Sequence, residues 1–146
     1  WGVVEQTHFV DAGRQHLQDD QLSFHYSVAE CRAGFAPRVA VLSSVIQYIE
    51  EPYRLLTEIG QAGLETLIID RTPFADSGRD AIMVQHVPAS IYEASYPLWI
   101  FDQQTFLSRL APRWRLVSVH ECPEGTLQSV SGKTFSFRGM ILEARP

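Results

Sequence analysis

Four short stretches of this 146-residue chain carry side chains able to do chemistry. Glu5 closes "WGVVE"; Ser43, Ser44 and Gln47 lie in "VLSSVIQ"; Asp70 and Arg71 end "LIIDR"; Arg79, His86, Tyr92 and Tyr96 follow in an aromatic stretch. A carboxylate such as Glu5 only accepts hydrogen bonds, and it can take two vicinal hydroxyls at once. The same residue also reads as a solvated strand end. His86 has the side chain whose ordinary pKa, near ~6.5, suits a general base at neutral pH, with a structural hydrogen bond as the other reading. Asp70 could orient such a base or act itself. Arg71 or Arg79 could hold an acidic group through a forked contact, while Asp70–Arg71 reads equally as a rim ion pair. Ser44, Asp70 and His86 also fall in the order nucleophile, acid, histidine of a hydrolytic triad. "LSSVI" lacks the flanking glycines a strained nucleophile turn needs, which argues against that chemistry.

Composition narrows the partners. With 12 Lys and Arg against 17 Asp and Glu, the net charge is −5, which disfavours a nucleic-acid backbone. The hydrophobic fraction of 45% and charged fraction of 20% are those of an ordinary globular domain with one core. No apolar run approaches the ~20 residues of a membrane span, and no signal-peptide pattern opens the chain. Cys31 and Cys122 are the two cysteines, without CxxC spacing, and read as reduced cytosolic thiols in a cytoplasmic protein. His8, His16, His25 and His120 show no ligand spacing, so no metal is expected.

These residues need elements to position them. "GVVE" reads as a buried strand, "THFVDAGRQHL" as a short helix weakened by Gly13, and "LSFHY" as a strand. "SVAECRAGFA" predicts a helix stopping near Gly34 and Pro37. "RVAVLS" (38–43) is a continuous β-branched run, expected to be a strand covered on both faces of a parallel sheet. Pro52 suits a first helical turn, and Pro52, Leu55, Leu56 and Ile59 share one apolar face before "TLIID" (66–70) forms the next strand. Residues 71–101 read as a long aromatic loop stiffened by Pro73, Pro88 and Pro97. Asp102 reads as the N-cap of "QQTFLSRLA". Two strands, 114–121 and 134–144, predict an antiparallel hairpin with a bulge at Gly139, where the apolar parity changes.

The order of elements, a parallel sheet ending in an antiparallel hairpin, resembles the later two thirds of a class I S-adenosylmethionine-dependent methyltransferase. "WGVVEQTHFVDAG" (1–13), "VLSSVIQYIEEPYRLL" (41–56) and "LIIDRTPF…VQHVPASIYEASYPLWIF" (67–74 and 84–101) are similar to a family of methyltransferases found among polysaccharide biosynthesis genes. The resemblance implies an α/β, Rossmann-like, mostly parallel sheet over residues 1–146 as a single partial domain, lacking the first strand, its glycine-rich turn and the helix after it. It implies S-adenosylmethionine as cofactor, with Glu5 on the ribose and Ser43, Ser44 and Gln47 on the methionine side. It implies His86 and Asp70 as proton-handling groups, and Arg71, Arg79, Tyr92 and Tyr96 around a small-molecule or carbohydrate-linked acceptor. A non-catalytic interaction module on the same fold is the alternative. Without the central strand, the neighbouring strands are expected to close up, or another chain, as in a homo-oligomer, to fill the gap.

Overall fold

A computed structural model describes residues 1–34 and 36–146. The first unit is β1 (Gly2–Val4), α1 (Thr7–His16), β2 (Ser23–His25) and α2 (Val28–Gly34). β1 and β2 pair in parallel, with Val3 opposite Phe24. Gly13 costs α1 helix propensity, yet a Cβ there would stand 2.4 Å from the Phe24 ring, so the glycine is what lets β2 pack on α1. Arg14 ties the unit together: its Nε donates to the Phe24 carbonyl at 3.0 Å and its Nη2 pairs with Glu30 at 2.6 Å. Val3 and Val4 are half-buried and exposed rather than buried, because this sheet has two strands and no covering layer over Val4. The expected end of α2 runs through Phe35, which lies outside the described residues.

The second unit begins with β3 (Val39–Ser43), a 3-10 turn (Ile46–Tyr48), α3 (Pro52–Gln61) and β4 (Thr66–Ala75). β5 (Ala81–Val87), β6 (Ala94–Asp102), α4 (Gln103–Leu110), β7 (Trp114–Gln128) and β8 (Thr134–Ala144) follow. The strand order is β5-β6-β4-β8-β7, with β3 also on β4. β4 is the spine. Its first half, Thr66–Asp70, pairs in parallel with Val39–Ser43, and residues of that half pair antiparallel with β8 on the other side. Past the end of β3, β6 takes over that edge of β4 in parallel at Phe74 and Ala75. β7 and β8 form the predicted antiparallel hairpin.

Three expectations need correction. Residues 71–101 are not a loop: β4 runs on to Ala75, and β5 and β6 form an antiparallel hairpin with Met83 opposite Leu98. Leu98, Ile100 and Phe101 of β6 go to the core, which is strand chemistry that the prolines masked. β3 is covered on one face only. Val39 and Val41 are 48% and 45% exposed, while the alternate residues Ala40 and Leu42 pack against the core. The bulge lies at the level of Gly139 but on the neighbouring strand. Ile69 pairs with Met140 and Thr72 with Arg138, so Asp70 and Arg71 together oppose Gly139.

The core sits between this sheet and the helices α3 and α4. Leu67, Ile69, Met140 and Leu142 of the sheet are sealed from solvent, and Leu56, Ile59, Phe106 and Leu110 of the helices pack on them. Phe74, Phe101 and Phe106 pack as a triangle with ring centroids 5.0–6.1 Å apart, and Tyr53 meets Phe101 and Phe106. Asp102 caps α4 as expected, accepting from Thr105 N at 2.9 Å. Its other oxygen accepts from the amides of Ser77 and Gly78, which fastens the β4–β5 turn to the start of the helix. Among the described residues no helix is long and apolar enough to cross a membrane.

Candidate functional site

The carboxyl end of β3 lies beside the bulge in the middle of β4, since Ser43 pairs with Asp70. Ligands in open α/β sheets bind beyond such strand ends. Left-handed backbone marks both places, Ser44 just past β3 and Arg71 in the β4 bulge, at φ 56° and 51°, the two non-glycine residues that adopt it among those described. Such conformations cost stability and concentrate at functional sites. Ser44 N donates to the Asp70 carbonyl at 2.9 Å, which locks the two places together. Gln47 is sealed from solvent, and its Nε2 donates to Ser44 Oγ at 3.1 Å and to the Arg71 carbonyl at 3.2 Å. Its Oε1 is buried without a hydrogen-bond partner. Ser43, Ser44, Gln47, Asp70 and Arg71 are thus brought into one rim.

Asp70 is the most connected group there. Ser43 Oγ donates to its Oδ2 at 3.0 Å, while His120 Nε2 and Cys122 Sγ each lie 3.4 Å from its Oδ1. Burial works against its charge, but the hydrogen bonds from Ser43, Cys122 and His120 outweigh it and hold the carboxyl below the usual range. Asp70 is therefore ionised at neutral pH. Burial raises the Cys122 thiol, although the Arg71 amide donates to its sulfur. Arg71 does not offer an open fork. Its Nε donates to Glu124 Oε1 at 2.6 Å, and its Nη2 reaches the same oxygen.

Beside the rim, Tyr48, Tyr92, Tyr96 and Pro97 line an open cavity of about 330 Å³. Tyr48 follows Gln47 directly, stands edge-on to Tyr96 at 5.4 Å, and donates to Gln85 Oε1 at 3.1 Å. Tyr96 is hydrogen-bonded to Tyr92, which raises its pKa. The β5–β6 hairpin thus presents two of the expected acceptor-side residues, Tyr92 and Tyr96, next to the turn that carries Gln47. His86 is exposed on β5 opposite Ser95, and is not among the hydrogen-bond partners of Asp70. Arg79 is exposed in the β4–β5 turn. Glu5 is exposed just past β1, where its Oε2 accepts from Gln6 N at 2.9 Å. A larger cavity of about 450 Å³ lies elsewhere, between α3, α4 and the start of β7, lined in part by Tyr53, Arg109 and Trp114.

Sequence reasoning did not mark His120 and Cys122 as site residues. The signal that could have found them is Gly139. A Cβ there would stand 2.1 Å from His120 Nε2 and 2.9 Å from Asp70 Oδ1, so the imidazole lies across the glycine to reach the carboxylate.

No family model matches the chain, and no curated protein matches it in sequence. Solved structures do match in fold. One is a SAM-dependent methyltransferase from Methanosarcina mazei, at TM-score 0.61 and 11% identity over 97% of this chain and 80% of that one. Another is the glycopeptide N-methyltransferase MtfA complexed with sinefungin, at TM-score 0.60 and 11% identity over 99% and 76%. The N-terminal domain of EvdMO1 with SAH bound matches at TM-score 0.50 and 10% identity, over 86% of this chain and 55% of that domain. The chain therefore has the α/β fold found in SAM-dependent methyltransferases, and spans about half of the EvdMO1 domain.

Proposed function

We propose that this chain is the acceptor-side and rim portion of an S-adenosylmethionine-dependent methyltransferase acting on a small-molecule acceptor, of which a carbohydrate-linked one is the narrower reading. The observation that carries this is the rim itself. Two strained residues, Ser44 at the end of β3 and Arg71 in the β4 bulge, fastened by Gln47, stand beside a tyrosine-lined cavity in a methyltransferase-like fold. In this reading Glu5, Ser43, Ser44 and Gln47 face the cofactor, which supplies an electrophilic methyl group on its sulfonium. Tyr92 and Tyr96 flank the acceptor, with Arg79 and Arg71 at its edge, Arg71 only after releasing Glu124. Transfer needs alignment and, for an oxygen or nitrogen acceptor, removal of one proton. The ionised Asp70 can take that proton, and His86, on the exposed hairpin, is the second candidate. Glu5 retains acceptor capacity beyond its contact to Gln6, as a ribose partner requires.

The finer reading is that one strand and its helix complete the sheet between β1 and β3. It is supported by the division of the sheet: β1 pairs only with β2, and β3 only with β4, among the described residues. The two strands have not closed up onto each other. That same division favours the second reading, a non-catalytic module that keeps the fold without a complete cofactor pocket. Calorimetric titration with S-adenosylmethionine and with its demethylated product separates them. The methyltransferase reading expects one site per chain, weakened at least about tenfold by Glu5→Gln, the order of a lost charge-assisted hydrogen bond. A protein carrying the completed sheet that still binds neither compound leaves the second reading standing.

A further inference from the structure

We propose that Asp70, His120 and Cys122 form a binding site for a borderline-soft divalent cation of the zinc type. Their ligand atoms lie within 4.8 Å of one another. Asp70 Oδ1 is 3.4 Å from His120 Nε2 and 3.4 Å from Cys122 Sγ. The first distance is long for an N–H···O hydrogen bond, which runs to ~3.2 Å. It also matches the spacing of two ligands on one ion. Tetrahedral angles with Zn–O and Zn–N near ~2.0 Å and Zn–S near ~2.3 Å put the oxygen about 3.3 Å from nitrogen and about 3.5 Å from sulfur.

The ligands are held by regular structure. His120 and Cys122 are two apart on β7 and share its face, and the β4 bulge that opposes Gly139 brings Asp70 to them. An outer layer orients them: Ser43 Oγ holds Asp70 Oδ2, and Gly139 leaves the space that the imidazole fills. One thiolate and one carboxylate would balance a dication, and the Cys122 proton would pass to solvent on binding. A sulfur and an imidazole nitrogen favour zinc over calcium or magnesium, which prefer oxygen. The side chains of His120 and Asp70 remain 49% and 31% exposed, so water can fill the fourth position. Chain spacing hides such a site, because Asp70 and His120 are 50 residues apart and meet only through the register of β4, β8 and β7. A bound metal would engage Asp70, the proton acceptor of the proposed methyl transfer, and its binding needs no activity to test.

The test uses the chelator-treated chain titrated with Co(II) and then Zn(II), followed by absorption and calorimetry. One Co(II) per chain is expected, with a thiolate-to-cobalt charge-transfer band that Zn(II) bleaches. The band persists in Cys31→Ser and disappears in Cys122→Ser, where Zn(II) affinity falls at least about tenfold. Gly139→Ala, which keeps all three ligands, also weakens binding by pushing the His120 ring aside. The proposal is overturned if the wild-type chain takes up no metal, if it binds without a thiolate band, or if Cys31→Ser rather than Cys122→Ser removes that band. Because the band is read first in the wild-type chain, the outcome does not depend on a variant folding.

Discussion

Asp70, in the β4 bulge, and Asp102, at the end of β6, are both carboxylates held below the usual range, but for different work. Asp70 gathers side chains at an open rim, whereas Asp102 is 4% exposed and spends its oxygens on backbone amides and Thr105. For Asp102 the side-chain and backbone hydrogen bonds of Thr105 lower the pKa most. A carboxyl depressed on folding contributes stability above its unfolded pKa, near ~3.9, and that contribution is lost as pH falls through the folded value. Urea midpoints measured against pH should therefore show wild type ahead of Asp102→Asn at neutral pH. The gap should narrow below about pH 4 as both carry a neutral side chain. A gap unchanged down to about pH 2 would contradict this role for Asp102. Tyr53 is a second residue-scale case. Burial first, and its 2.6 Å bond to Asp80, raise its pKa, so it stays protonated through the alkaline range. Tyr53→Phe should remove the tie to Asp80 at a cost of about 1 kcal/mol, read by chemical denaturation, because only the hydroxyl is lost.

At the scale of elements, β4 shows what was legible in the sequence and what was hidden. The strand–helix–strand of residues 38–70, the Asp102 cap and the final hairpin are readable because each rests on local pattern: a β-branched run, apolar spacing on one helix face, a capping side chain. The continuation of β4 past Asp70 and the strand β6 are not, because Pro73 and Pro97 look like loop residues until their partners are known. The same limit hides the candidate site. Ser43 can be placed at a strand end from sequence, and Asp70 on the next strand, but the convergence of His120 and Cys122 depends on the register across Gly139, which no single stretch encodes. The packing of α4 yields a firmer expectation. Phe106 is fully buried against Phe74, Phe101 and Tyr53, so Phe106→Ala should cost about 3–5 kcal/mol of stability, measured by urea unfolding. A loss below about 1 kcal/mol would mean that the aromatic triangle is not the core it is taken to be.

Across the whole molecule, the sheet is divided. β4 and β8 lie inside their sheet and carry the sealed residues Leu67, Ile69, Met140 and Leu142. Residues 1–34 rest on a two-stranded sheet of their own, joined to the main core through contacts such as Val28. Local opening follows such differences in burial and pairing. Native-state hydrogen exchange should show β4 and β8 amides exchanging only with global unfolding, and β1 and β2 amides exchanging faster. β5, an edge strand with Ile82 and Val84 59% and 62% exposed, belongs with the fast group. Uniform protection across both sheets would contradict this division.

Whether the carboxyl ends of β1 and β3 and the bulge of β4 form the cofactor side of a methyltransferase site can be read, in a protein carrying the completed sheet, from amide chemical shifts recorded while the demethylated cofactor is added. Saturable shifts are expected at Glu5, Ser43, Ser44, Gln47 and Arg71. Shifts confined to the cavity between α3 and α4, or none at saturating ligand, would contradict the proposed site.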